Sequence, residues 1–247
     1  MSFIVFDLEL NQDFSSMEIR NAVKPPPFEI IQLGAVKLDS ALNIVDSFNS
    51  FVKPTIYKRL NPFVVDLTGI TAEKLDKEKS FPEVYRDFLR FVGEGDWVFG
   101  VWGTSDMKEL YRNAELHSLS LKLVSRKYIN IQPYVSLYFN YSKKNLLRLE
   151  HAVKALNIPG DYPFHDAYND AYYTAEVFKR IYNSFIQPKV YDPTEAAIRP
   201  PRQPKRVIDV EGLLGQFQKM YARDMTEEEK GIILLAYKMG KTNQFLK

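Results

Sequence analysis

The chain has 247 residues, a formal net charge of +2 and 45% hydrophobic residues, enough to bury one full core and still carry an appendage. The absence of cysteine excludes disulfide staples and thiolate metal sites, so any metal must be held by carboxylate and histidine. Neither a signal peptide nor an apolar run of membrane length stands out in the sequence, and a soluble cytoplasmic protein with no membrane partner is the expectation.

The first element is an apolar, aromatic and β-branched run, Met1 to Phe6, suited to a central strand, and it leads straight into Asp7-Leu8-Glu9-Leu10. Strand side chains alternate faces, so Asp7 and Glu9 project from one side with Cβ atoms about 7 Å apart. Like charges held there repel unless a cation joins them. Mg²⁺ takes oxygen ligands, and two-metal sites need carboxylates that reach ions about 4 Å apart. The pair reads either as a metal platform or as two surface acids at a strand end, and the rest of the chain decides.

Residues 28–38 and 45–52 read as two further strands of an antiparallel meander. Phe81 to Phe91 has helical spacing. Asp96 to Gly103 is a strand with glycines at its exit, and Thr104 to Leu110 then begins a helix, which places Asp106 at the strand-to-helix junction where α/β sheets gather ligand-binding groups. Residues 129–135 read as another strand, and 145–156 as an amphipathic helix with His151 on its rim; His117 reads as structural or solvated. In the stretch from His165 to Phe178, Ala167, Ala171, Ala175 and Phe178 recur at helical spacing and form a small-residue face for close packing. Asp166 stands at the N-cap. Asp170, one turn further in beside the alanines, is carried toward the packed side, where a carboxylate needs a partner. His165 precedes the helix and suits a general base, because its unperturbed pKa lies near neutrality.

After Gln187 the composition changes. Pro188, Pro193, Pro200, Pro201 and Pro204 are interspersed with Arg199, Arg202, Lys205 and Arg206, and the expected division is a domain over 1–187, an extended basic connector over 188–206 and a helical extension over 207–247. Thr226-Glu227-Glu228-Glu229 is a capping box opening the last helix, which Gly240 is expected to end. Two helices alone cannot form a stable core, so they should dock on the rest of the chain or pair with a second copy as a homodimer.

The three acidic motifs, in this order, resemble the DEDDh 3′–5′ exonucleases of the DnaQ-like, RNase H-fold superfamily, most of all the subgroup with the sporulation inhibitor KapD and the histone-mRNA and small-RNA exonucleases. FDLEL matches the first motif with Asp7 and Glu9, VFGVWGTSDMKEL the second with Asp106, and HDAYNDA the third with His165 and Asp170. Leu10 departs from the threonine that many relatives carry there. The resemblance spans about residues 1–186 and implies an α/β, RNase H-like mixed sheet of five strands flanked by helices, followed here by the C-terminal helical extension. It also implies a hydrolase with Asp7, Glu9, Asp106 and Asp170 holding two Mg²⁺ or Mn²⁺ ions and His165 as the catalytic base. The substrate would be single-stranded RNA or DNA, cut from its 3′ end to nucleoside 5′-monophosphates. Leu10, Phe14, Ile70, Thr71, Trp102 and Tyr168 are the candidate contacts to the terminal base and sugar. A regulatory scaffold with a vestigial exonuclease fold is the alternative, against which the intact acids and histidine argue; a small-nucleotide phosphodiesterase on the same site is a third reading.

Overall fold

The computed structural model describes residues 1–12, 28–57, 59–141, 146–193 and 209–241. Strands β1 (Ser2–Asn11), β2 (Glu29–Leu38) and β3 (Ile44–Phe51) form an antiparallel meander. On its other side β1 pairs in parallel with β4 (Trp97–Val101), and β4 in parallel with β5 (Lys127–Asn130). The mixed sheet flanked by helices is therefore present. A short sixth strand, β6 (Lys189–Val190), pairs antiparallel with β5 and gives the order β3-β2-β1-β4-β5-β6. The sheet thus takes in two residues that their proline-rich context assigns to the connector.

The helices of this part are α1 (Pro62–Thr68), α2 (Ala72–Leu75), α3 (Phe81–Val92), α4 (Ser105–Leu116), α5 (Ile131–Tyr138), α6 (Leu149–Ala155) and α7 (Ala167–Ile181). The expected strand over 129–135 is cut short at Asn130 by α5. Pro133 lacks the N–H a paired strand would need, whereas the first turn of a helix tolerates it.

Alternation along β1 sorts two cores. Ile4, Phe6 and Leu8 enter a cluster with Phe88, Phe99 and Leu110 under α3 and α4, while Phe3 and Val5 enter a cluster with Tyr173, Val177 and Phe178 under α7. Asp7 and Glu9 continue the odd-numbered series, so they emerge on the face that α7 covers. Gly34 stands opposite Asp7 on β2, and a Cβ there would lie 2.2 Å from the backbone of Ala167. A glycine inside a strand marks such a close backbone approach. Ala167, Ala171 and Ala175 are fully buried and supply the matching small surface on the helix.

The chain divides into two compact units, Met1–Ala197 and Ile198–Lys247. In the second, α8 (Val210–Tyr221) and α9 (Glu227–Lys241) match the expected helix pair, and the capping box is formed: Thr226 N donates to Glu229 Oε2 at 2.8 Å and Glu229 N to Thr226 Oγ1 at 3.3 Å. Gly240 does not stop α9, which runs to Lys241. The connector over 194–208, with its basic cluster, lies outside the described residues. Among the described residues no helix is long and apolar enough to cross a membrane.

Because the clash at Gly34 is with backbone, side-chain rearrangement cannot relieve it. Gly34→Ala should destabilise the protein by about 1–3 kcal/mol or more in urea unfolding, the usual range for overpacking a tight contact. A variant with wild-type stability would show that α7 can lift without cost.

Candidate active site

Three separate parts of the sequence meet beside the central strand. Asp7 and Glu9 come from β1; a register shift between Glu9 and Leu10 interrupts the pairing with β2 directly after them. Asp106 lies in the first turn of α4, which starts where β4 leaves the sheet next to β1, and it is 7% exposed. His165 and Asp170 come from the start of α7. Oxygen and nitrogen atoms of Glu9, His165 and Asp170 all lie within 4.8 Å of one another, a spacing that can hold a metal ion.

Local chemistry sets the entry to α7. Asp166 is its N-cap, and its side chain accepts from Tyr168 N and Asn169 N, as the sequence leads one to expect. His165, immediately before, has φ +64°, a left-handed conformation uncommon for a residue with a side chain. Its backbone N–H donates to Asp170 Oδ2 at 3.2 Å. Asp170 Oδ1 is buried with no hydrogen-bond partner. Such an orphaned carboxylate oxygen, aimed at a cluster of acids, is what a cation site leaves when only the protein is considered.

Electrostatics agree. Burial, then Asp106, Asp170 and Glu9 in turn, push the Asp7 carboxyl well above its usual range. Glu9 is pushed up to about 8 by burial and then by Asp170, Asp166 and Asp106. Asp106 and Asp170 are each raised to about 7, chiefly by burial. Among the described residues no lysine or arginine offsets these charges. Four carboxyls placed this way fit a set of hard oxygen ligands for divalent cations, and they fit no internal salt bridge.

The expected substrate contacts fare differently. Leu10 is half-buried and lines a groove of about 540 Å³ together with Glu9, Leu8, Phe63, Val64 and Leu67. Trp102 and Tyr168 are half-buried and pack on the α7-side core. The indole N–H of Trp102 is buried and has no partner. Ile70, 2% exposed, packs with Ile31 and Leu75 and offers no surface to a base. The Thr71 hydroxyl caps α2, accepting from Lys74 N. Phe14 lies outside the described residues. Of the other histidines, His151 is exposed and His117 ends α4 with its ring 5.4 Å from that of Phe81. Sequence reasoning passed over Gln32 and Gly34, although a polar residue and a glycine inside the apolar run Glu29–Leu38 are a visible signal of a special contact.

The raised carboxyls have a consequence for stability. In the folded chain they bind protons more tightly than in the unfolded chain, so their stabilising effect is present below the ordinary carboxyl range and is lost as pH rises toward about 8. The melting temperature of the metal-free protein should therefore fall between about pH 5 and pH 8. Mg²⁺ should raise it most at the alkaline end, because ions compete with protons for the same oxygens. Scanning calorimetry with chelator and with Mg²⁺ checks this. A melting temperature flat or rising over that window without metal would contradict the clustered, desolvated acids.

Comparison with known proteins agrees with this geometry. The family model described as Exonuclease (RNase_T) matches residues 4–178. The chain is 28% identical over 185 residues to a DNA polymerase III of PolC type from Thermotoga maritima, covering 72% of this chain and 12% of the polymerase. It is 32% identical over 120 residues to human 3′-5′ exoribonuclease 1, covering 44% of this chain and 34% of that enzyme. It therefore spans only a minor part of these relatives' own lengths. Among solved structures, the nuclease domain of 3′hExo, a DEDDh family member bound to rAMP, superposes with a TM-score of 0.63 at 23% identity, over 77% of this chain and 96% of that one. That likeness concerns the fold. With the family model matched from β1 into α7, over more than half of its length, the chain belongs to the exonuclease family.

Proposed function

We propose that the protein is a metal-dependent 3′–5′ exonuclease acting on single-stranded RNA or DNA. The observation that carries this reading is the cluster of Asp7, Glu9, Asp106 and Asp170, all with raised pKa and, among the described residues, without a counter-charge, beside His165. The likeness to a 3′-5′ exoribonuclease supports the direction of attack and the substrate class.

The four carboxylates would hold two divalent cations, Mg²⁺ or Mn²⁺. Bound there, such ions make water nucleophilic near neutral pH and neutralise charge on the transferring phosphate and departing oxygen. His165, exposed at the mouth of the site, accepts the proton released by the attacking water. Attack on the last phosphodiester breaks the bond to the 3′ oxygen of the preceding sugar, giving a nucleoside 5′-monophosphate and a strand shorter by one. The groove beside Glu9 receives the terminal nucleoside, to which Leu10 and the exposed Phe63 offer apolar surface. Apolar contact tolerates every base, in keeping with sequential removal. We place this activity in Met1–Ala197 and treat Ile198–Lys247 as an appendage that meets a partner or a second copy, since Ile232 and Leu235 are 60% and 58% exposed.

Purified protein with Mg²⁺ or Mn²⁺ should shorten 5′-labelled single strands one nucleotide at a time, leave the label on ever shorter strands, release nucleoside 5′-monophosphates and stop when EDTA is added. Matched RNA and DNA substrates in the same assay report the sugar preference. Label released first, internal cuts or activity indifferent to EDTA would overturn the reading.

Asp7→Asn removes a ligand charge from the end of an otherwise apolar strand. It should abolish turnover and leave the fold intact, with the metal-free melting temperature unchanged or raised as repulsion is relieved. Wild-type cleavage by the purified variant would place the site elsewhere.

A further inference from the structure

Gln32 is a fully buried amide in the middle of β2, directly opposite Glu9 in the strand register. One of its contacts stays within the sheet, to Asn49 on β3, and two leave it for α7. Nε2 donates to Asp166 Oδ2 at 2.9 Å and to Asn49 Oδ1 at 3.0 Å, and Oε1 accepts from Ala167 N at 3.3 Å. A carboxylate can only accept and a backbone N–H can only donate, so the two neighbours from α7 fix which way the amide points. One side chain on the sheet therefore binds both the cap of α7 and its first N–H.

The remaining N–H groups of that turn are also taken. Tyr168 N and Asn169 N donate to Asp166 Oδ1 at 3.0 and 3.1 Å, and Asp170 N donates to the Asp166 carbonyl at 2.9 Å. His165 lies immediately before this turn and Asp170 within it. The helix start could slide or tilt on its small alanine face, because alanines and Gly34 offer no interlocking side chains. Gln32 supplies the missing fixed point.

We infer that Gln32 is a positioning residue for the nuclease reaction, holding the α7 N-terminus in register with β1 so that His165 and Asp170 meet Glu9. The inference rests on the function proposed above. It assigns to Gln32 no contact with substrate or metal, only control of where two of the reacting side chains stand. A misplacement of about 1 Å in such a group can cost up to about a hundredfold in rate.

The contact is testable by exchanging its charges. Gln32→Glu keeps an acceptor for Ala167 N and sets a second carboxylate against Asp166. Combining it with Asp166→Asn restores a donor facing an acceptor, keeps a side-chain oxygen for the cap and returns the total charge to that of the wild type. In metal-free protein, hydrogen exchange of the amides at 167–169 should speed up in Gln32→Glu and slow again in the pair. Calorimetric Mn²⁺ affinity should fall about tenfold and recover in the same way, with kcat following affinity while KM changes little. A Gln32→Glu protein that loses melting temperature alone, with normal exchange at 167–169 and normal Mn²⁺ affinity, would make Gln32 an ordinary stabilising residue and overturn the inference. So would a pair no better than Gln32→Glu. Should the single variant not fold, the pair decides: folding with recovered Mn²⁺ affinity supports the latch, and failure refutes it. Rescue of exchange and metal affinity in a protein whose wild type cleaves no strand would keep the latch and remove the proposed function.

Discussion

How closely α7 can lie on the sheet governs the rest of the site. Gly34 faces Asp7 across the β1–β2 pairing and leaves room for the backbone of Ala167 where any side chain would intrude. With that contact made, Asp170, one turn along the helix, is brought to the buried Glu9, and the exposed His165 stands beside both. A larger residue at 34 or in the alanine row would move the helix outward and carry Asp170 and His165 away together. The chemistry is thus set by a packing distance before it is set by charge.

The same closeness creates the electrostatic problem. Burial raises the pKa of all four carboxyls, neighbouring acids raise it further, and the cluster therefore favours holding protons near neutral pH. Divalent cations would displace those protons, so occupancy and ionisation are one coupled equilibrium, with affinity rising as pH rises through 7. An arrangement that weakens the bare fold and is kept by two well-packed cores marks a functional site rather than a structural one. Elsewhere the chain handles buried acids in the ordinary way. Glu29, 3% exposed, accepts from the backbone N–H groups of Thr55, Ile56 and Tyr57, and Glu109 pairs with Arg112 at 3.1 Å. Among the described residues, these other buried acids thus each have a partner within the protein.

Elements with one strong period were legible in the sequence. Residues 28–38 and 81–91 come within one residue of the structural bounds, and the strand read over 96–103 contains β4, because an alternating or 3.6-residue pattern is set by burial on one face. Residues 129–135 were misread because an apolar run that changes from strand to helix at Asn130 carries no period of its own, and Pro133 was the overlooked signal. The two-residue β6 has too few side chains for any pattern. That Asp7, Glu9, Asp106, His165 and Asp170 converge was legible because each sits in a short motif in a strand or at a helix end. Gln32 was not, since its role depends on Asp166, 134 residues further along the chain, and no local pattern encodes such a contact. Ile70 was misjudged for the opposite reason: its neighbourhood suggests proximity to a ligand, but burial against Ile31 withdraws it from any surface.

Topology explains why the motifs can be so far apart in sequence. Parallel pairing of β1 and β4 directs their carboxyl ends the same way, so the acids toward the end of β1 and the first turn of α4 arrive side by side although β2, β3 and α1 to α3 lie between them in sequence. The antiparallel β2 runs back past that end and offers Gln32 and Gly34 to the helix that comes last in the domain. Asp166 thereby acts twice. Toward its own helix it is a cap, which any Ser, Thr, Asp or Asn could be; toward β2 it is an acceptor at a fixed place, which the buried amide of Gln32 requires. Residue choice at 166 is constrained by the strand across the site as much as by the helix it begins, and that second constraint ties His165 and Asp170 to the acids of β1.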